Sequence, residues 1–345
     1  MAFINDLGKI IVFLFLLLSL FLVTAKSERK LPDYLFAAFL LVSVIDFSGL
    51  FLSPPDSKLI KAGKLASVLL QMPLYYLYVN SACYYNFKLH KKHLLHGLAF
   101  LLVFCFFSIT GISKQGYQVF DVISIIQYYF YIIAVLLVLK NFRKLYQENY
   151  SSNHHLTYKW LMQTTVLFLI GNIFVLIRGF ADHNSPVYNY LLTFTSVFVL
   201  FVITWFVLNA LYRPSLFAGI NKNLIPVQSE SEIKEEPEQL KSLLQFMKTE
   251  KPYLDDKLTL QKLAEQIDLP EKQLSQLINQ HTGKHFFDFI NEFRINDAKT
   301  LLKEQSQLTV LEVLYEVGFN SKSSFYTAFK KETNSTPTDY RKSIV

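Results

Sequence analysis

The sequence predicts an all-α protein in two halves, a bundle of seven membrane-crossing helices followed by a soluble helical part. Three observations predict it. Seven mostly apolar stretches occupy the first 212 positions, each close to the roughly 20 residues that a bilayer-crossing helix needs. Beyond Gln239 the apolar residues recur at helical spacing, with no strand-like alternation of useful length. Within that second half, one pattern of capping residue, amphipathic helix, turn and second helix is written twice, about fifty residues apart.

The composition agrees with two unlike halves. Of 345 residues, 52% are hydrophobic and 18% charged, against about 25% charged in an average soluble domain. The net charge of +7 is unevenly spread. Residues 1–212 hold 16 Lys and Arg against 8 Asp and Glu, residues 213–240 hold 3 against 5, and residues 241–345 hold 15 against 14. The basic excess therefore sits in the apolar half, where it bears on membrane topology. A nucleic-acid argument has to rest on local placement of charge in the second half. Two cysteines, Cys83 and Cys105, imply no disulfide framework. The histidines lie mainly in loops without ligand spacing, so neither a metal site nor a cofactor is predicted.

The apolar segments lie at roughly 8–25, 33–52, 65–85, 94–112, 119–139, 160–180 and 189–211. The third is the weakest, being interrupted by Gln71, Pro73 and Asn80. The loops after segments one, three and five carry ten basic residues, from Lys26 to Lys159, and the opposite side carries six. The positive-inside rule then puts the N-terminus outside and everything after Arg213 in the cytoplasm. "LVTA", ending at Ala25, vaguely resembles a signal-peptide cleavage site, but cleavage would reverse this orientation against the loop charges. Asp46, Gln127, Asn172 and Arg178 lie at membrane depth. An ionisable group in hydrocarbon is costly, so Asp46 is expected to face the bundle interior. These four are candidates for signal binding or coupling, and helix–helix hydrogen bonding explains them as well. Residues 213–238 read as a polar, acidic linker with three prolines.

The soluble half runs from 239 to 345. "LKSLLQFMKTEKPYL" gives a short amphipathic helix. Thr259 then caps a helix with Leu260, Leu263, Ala264 and Ile267 on one face. Leu269-Pro270 breaks it, and a second helix carries Leu274, Leu277 and Ile278 up to Gly283. The outer face of that second helix shows Lys272, Ser275, Gln276 and Asn279, side chains able to meet phosphates and base edges. In the repeat, Thr309 caps "VLEVLYEV", Gly318-Phe319 turns, and Ser321 caps "SKSSFYTAFKKE". Phe325 and Phe329 are its buried pair, and Lys322, Ser323, Tyr326, Thr327 and Lys330 face outward. Between the repeats, Phe286, Phe289, Ile290, Phe293, Ala298 and Leu301 mark a connecting helix that can bury against both units.

Residues from about Tyr253 to Arg341 resemble the tandem helix-turn-helix domain of the AraC/XylS family of bacterial transcription regulators. The resemblance rests on "LTLQKLAEQIDLPEKQLSQLINQHTGKHF", "FINEFRINDAKTLL" and "VGFNSKSSFYTAFKKETNSTPTDYR". Three positions depart from the family's pattern: Tyr315 replaces a usual alanine, Asn334 a common glycine, and Gln276 a frequent arginine. The resemblance implies double-stranded DNA as partner, with two recognition helices entering successive major grooves about 34 Å apart. With the apolar half, it implies a regulator anchored in the bacterial inner membrane. Its bundle would sense an unidentified signal molecule or assemble a homodimer in the bilayer. No HExxH, P-loop, GxSxG or kinase signature is present, so no enzyme is predicted. The alternatives are a membrane transporter or enzyme with a regulatory helix-turn-helix tail, and a tail that serves as a protein-interaction module.

Overall fold

In a computed structural model of the chain, every named element among the described residues is helical. The described residues run from 2 to 344, apart from 28, 54, 85, 152–155, 183–184, 213–236 and 306. The predicted linker thus falls almost wholly outside them. The chain divides into two compact units, Met1–Lys140 with Thr157–Lys222, and Asn141–Leu156 with Asn223–Val345. The second unit therefore takes in a short stretch from the middle of the chain.

The apolar half holds α1 (Ala2–Thr24), α2 (Lys30–Phe47), α3 (Lys58–Cys83), α4 (Leu98–Thr110), α5 (Lys114–Asn149), α6 (Leu156–Gly179) and α7 (Pro186–Tyr212). Six stretches have the length and apolarity to cross a membrane: α1, Lys30–Leu50, Lys91–Thr110, α5, Thr157–Gly179 and Pro186–Asn209. The third predicted span, α3, is long enough but is not among them. Its packing gives the reason. Tyr75, Tyr78, Val79 and Ala82 are fully buried. The Tyr75 hydroxyl lies 2.8 Å from the hydroxyls of both Thr164 and Thr165 on α6, and Trp160 Nε1 donates to the Tyr78 hydroxyl at 3.1 Å. Phe36 stacks on Tyr78 at 4.6 Å, and Phe168 meets Tyr75 edge-on at 4.7 Å. A helix enclosed by other helices can carry hydroxyls, provided that they are hydrogen-bonded. The Arg29 guanidinium donates to the carbonyls of Ser81, Ala82 and Tyr84, which the end of α3 leaves without helical partners. Outward, Leu20, Leu94, Ile109, Ile126, Phe130 and Phe201 are exposed.

The second unit holds α8 (Pro237–Thr249), α9 (Leu260–Gln266), α10 (Glu271–Thr282), α11 (Phe286–Glu304), α12 (Val310–Glu316), α13 (Lys322–Thr333) and α14 (Pro337–Ile344). It has two hydrophobic cores. One gathers Leu243 and Met247 of α8, Leu263 and Ala264 of α9, Leu274, Leu277 and Ile278 of α10, and Phe286, Phe289 and Ile290 of α11. The other gathers Ile295, Ala298 and Leu302 of α11 with Val313, Leu314, Phe319, Phe325 and Phe329. The connecting helix α11 thus gives its first half to one core and its second half to the other, as its apolar spacing predicts. Tyr315, in place of the usual alanine, is 60% exposed, so its ring stays outside the seam.

The predicted caps form. Thr259 accepts from the Lys262 amide at 3.2 Å, and Ser321 accepts from the Ser324 amide at 3.3 Å. Thr309 accepts from the Glu312 amide at 3.2 Å, while the Glu312 carboxylate accepts from the Thr309 amide at 2.6 Å, closing a reciprocal capping box. The Thr309 backbone and side-chain donors hold the Glu312 carboxyl below its ordinary range. A depressed carboxyl pKa stabilises the fold above the unfolded value and loses that contribution as pH falls through the folded one. Amides in the first turn of α12 are therefore expected to exchange faster below about pH 4. Thr309→Ala is expected to speed them about fivefold at neutral pH, the equivalent of about 1 kcal/mol. Hydrogen exchange on the full chain checks both.

Candidate nucleic-acid interface

The two helix pairs are built alike, residue by residue. Both turns reverse on a left-handed residue, Asp268 at φ 53° and Gly318 at φ 85°. Each turn closes with an amide bond to the carbonyl five residues back: the Leu269 amide donates to the Ala264 carbonyl at 3.0 Å, and the Phe319 amide to the Leu314 carbonyl at 3.1 Å. Leu269 packs on the first core, and Phe319 is buried in the second. Both second helices end on a left-handed cap, Gly283 at φ 66° and Asn334 at φ 55°. Asparagine serves there because it tolerates this conformation better than most residues.

The second helices differ in what they present. On α13, Lys322, Ser323, Thr327 and Lys330 are exposed and Tyr326 is half-buried, so all five predicted residues share an accessible face. The Lys322 ammonium lies 5.4 Å from the centre of the Tyr326 ring. Lys331, which spacing alone did not single out, is also exposed and pairs with Asp288 at 2.6 Å. On α10, Lys272 is exposed and Asn279 half-buried. Ser275 and Gln276 depart from the predicted outer face, being only 7% and 3% exposed. α10 is packed on more than one side. Leu274, Leu277 and Ile278 face the core, and Gln273 Nε2 donates to Gln239 Oε1 of α8 at 3.3 Å. Helical spacing gives the angular position of Ser275 and Gln276 on α10 but not what packs over them.

Charge follows the same asymmetry. Around the first turn, Glu265 and Asp268 are exposed and Glu271 is half-buried. Burial, with the neighbouring Glu265 charge, raises the Glu271 carboxyl above its ordinary range. α10 carries one lysine, Lys272, whereas α13 carries Lys322, Lys330 and Lys331. Phosphate oxygens would meet mainly carboxylates at the first turn and mainly ammonium groups along α13.

In the apolar half, two of the four predicted polar residues, Asp46 and Arg178, lie within reach of each other's charge. Gln127 Nε2 donates to the Leu69 backbone carbonyl at 3.1 Å, which makes it a helix–helix contact. Asn172 has a buried side-chain oxygen with no hydrogen-bond partner among the described residues. Arg178 lies in the last turn of α6, its guanidinium 5.7 Å from the centre of the Tyr188 ring. Asp46, expected to face the bundle interior, keeps part of its surface open, while its carboxylate is hydrogen-bonded to Gln71 of the neighbouring α3. It sits in the last turn of α2, within reach of the charges of Lys64 and Arg178.

Two helix-turn-helix units on one connecting helix define a tandem helix-turn-helix domain. Residues 263–343 match the family model described as a helix-turn-helix domain, HTH_18. Over 105 residues the chain is 33% identical to the HTH-type transcriptional regulator GlxA of Rhizobium meliloti, a match covering 30% of this chain and 31% of that protein. It is 31% identical over 99 residues to the HTH-type transcriptional activator RhaS of Salmonella arizonae, covering 29% and 35%. The solved C-terminal domain of AraT, a response regulator from Geobacillus stearothermophilus, is 28% identical, covering 32% of this chain and 88% of that one, with a TM-score of 0.29. The chain spans about a third of the length of these curated relatives. Its C-terminal domain is a helix-turn-helix domain of the AraC/XylS type.

Proposed function

We propose that this chain is a membrane-embedded transcription regulator of the AraC family, held in a bacterial inner membrane by its apolar helices and binding duplex DNA in the cytoplasm. The observation that carries the reading is the accessible row Lys322, Ser323, Thr327 and Lys330 on α13, in a domain that resembles named transcriptional regulators. Six long apolar stretches in the same chain, with large apolar side chains exposed along them, support the membrane part. The loop charges support an outside N-terminus. The second helix-turn-helix supplies most phosphate contacts through Lys322 and Lys330, and base reading falls to Lys322, Ser323, Tyr326 and Thr327. The first helix-turn-helix contributes through Lys272 and Asn279, the more accessible of its four predicted residues. Asp46, Asn172 and Arg178 are the candidates for holding a signal molecule or a homodimer interface. In a homodimer, the second domain would bind DNA intramolecularly, at a concentration set by the tether.

The test is mapping of chromosomal sites bound by the intact protein in its host. Enrichment at defined promoters is expected, and Lys330→Ala should weaken binding at all of them by roughly tenfold, as loss of a phosphate contact does. Lys322→Ala should instead change the ranking among sites. No enrichment over random chromosomal DNA would overturn the reading. Reporter fusions at Lys92, Gln115 and Gln228 should report inside, outside and inside. An outside signal at Gln228 would place the domain away from DNA.

A further inference from the structure

The second unit contains a segment far from it in sequence, Asn141–Leu156, which continues α5 and precedes most of α6. Its contacts are specific. Tyr150 pairs with Thr259 in an isolated antiparallel bridge. The Ser151 amide donates to the Leu258 carbonyl at 3.3 Å, and the Ser151 hydroxyl donates to the same carbonyl at 2.6 Å. The Tyr146 ring stacks on that of Tyr150 at 4.9 Å, and Tyr146, Glu148, Asn149 and Ser151 are all buried.

The clasp on this segment is Arg294 of α11, which is 1% exposed. Its Nη1 donates to the Ser151 carbonyl at 3.0 Å, and its Nη2 lies 3.2 Å from the Ser151 hydroxyl and donates to the Asp255 carbonyl at 2.8 Å. Its Nε donates to the Tyr253 carbonyl at 2.6 Å. One planar fork thus binds two carbonyls ahead of α9 and one residue of the inserted segment. The same guanidinium lies 5.5 Å from the centre of the Phe319 ring, the plug of the second turn. The bridge partner Thr259 is the N-cap of α9, where the first helix-turn-helix begins.

We propose that the backbone edge at Leu258–Thr259, together with Arg294, is a docking surface whose occupant is the stretch 149–151 of the same chain, and that this strap braces both helix-turn-helix turns. An extended segment adding to a backbone edge is held by main-chain bonds. The hydroxyl of Ser151 and the fork of Arg294 supply the selectivity. Because the strap is covalently the end of α5, a shift of that helix pulls directly on the start of α9 and on the residue beneath Phe319. The strap is the point at which the apolar helices act on the DNA-binding domain. That consequence rests on the membrane-regulator reading, whereas the docking itself does not.

The test uses the full chain in its membrane, with Cys83→Ala and Cys105→Ser as background. Residues paired across an antiparallel bridge lie close enough for a disulfide. Tyr150→Cys with Thr259→Cys is expected to cross-link within one chain under mild oxidant. Failure to cross-link overturns the docking, and a covalent dimer overturns its assignment to the same chain. Ser151→Pro removes the amide donor and is expected to speed hydrogen exchange at the amides of both Leu263 and Phe319 by fivefold or more. Arg294→Lys keeps the charge but loses the fork, and should give the same pattern if Ser151→Pro fails to fold. Unchanged exchange at Phe319 in a chain that still cross-links overturns the bracing. A chain that binds no DNA yet gives the cross-link and the exchange pattern leaves the strap standing and removes the proposed function.

Discussion

Replacing Gly318 by alanine is expected to destabilise the second helix-turn-helix by about 3 kcal/mol. Two effects combine. Gly318 sits at φ 85°, a conformation that costs any residue with a Cβ. A Cβ there would also lie 2.6 Å from the Tyr253 carbonyl oxygen and 2.7 Å from that of Leu254. These are backbone atoms, so no rotamer change relieves the clash. The equivalent turn residue of the first helix-turn-helix, Asp268, has φ 53° yet carries a side chain, because it is exposed. Asp268→Gly is therefore expected to change stability by less than about 1 kcal/mol. The measurement is amide exchange of α12 and α13 in the full chain. Gly318→Ala should accelerate it about a hundredfold, and rates within twofold of the parent would show that the two strands of backbone can part without cost.

Arg294→Met is expected to cost about 3–5 kcal/mol, nearly all of it in the second unit. The side chain that replaces the guanidinium has similar length but no donor. The carbonyls of Tyr253, Asp255 and Ser151 would then be left without the hydrogen bonds that Arg294 supplies. Burial pulls the guanidinium pKa down, and the charges of Asp256 and Asp255 act against that pull. The cation is thus held by its acceptors rather than by a partner carboxylate, which is why donor geometry matters more than charge. Exchange should accelerate at both helix-turn-helix turns, since Arg294 reaches the chain before α9 and the ring of Phe319 alike. Acceleration confined to α11 would show that Arg294 is a local helix residue only.

What the sequence determined by itself is local. Thr259, Thr309 and Ser321 cap because each donor lies three residues ahead of its acceptor, within reach of any chain that turns helical there. The apolar spacing of α11 foretells two cores because period 3.6 fixes which side chains share a face. The exposed row on α13 follows from the same rule, since Phe325 and Phe329 set the opposite side. Tertiary structure decided the rest. α3 reads as a poor span because it is interior, its Tyr75 satisfied by hydroxyls of α6 some ninety residues away and its Tyr78 by the indole of Trp160. Ser275 and Gln276 are buried although their spacing points outward, because period fixes a residue's angle on its helix and not what packs over it. Arg294 left one visible trace, a charge four residues after Ile290 and four before Ala298 on an otherwise apolar stripe. Its acceptors are backbone carbonyls, one of them 143 residues earlier. Every residue except proline offers the same carbonyl and amide, so no side-chain pattern marks the segment that docks, and only the folded chain brings it to the fork.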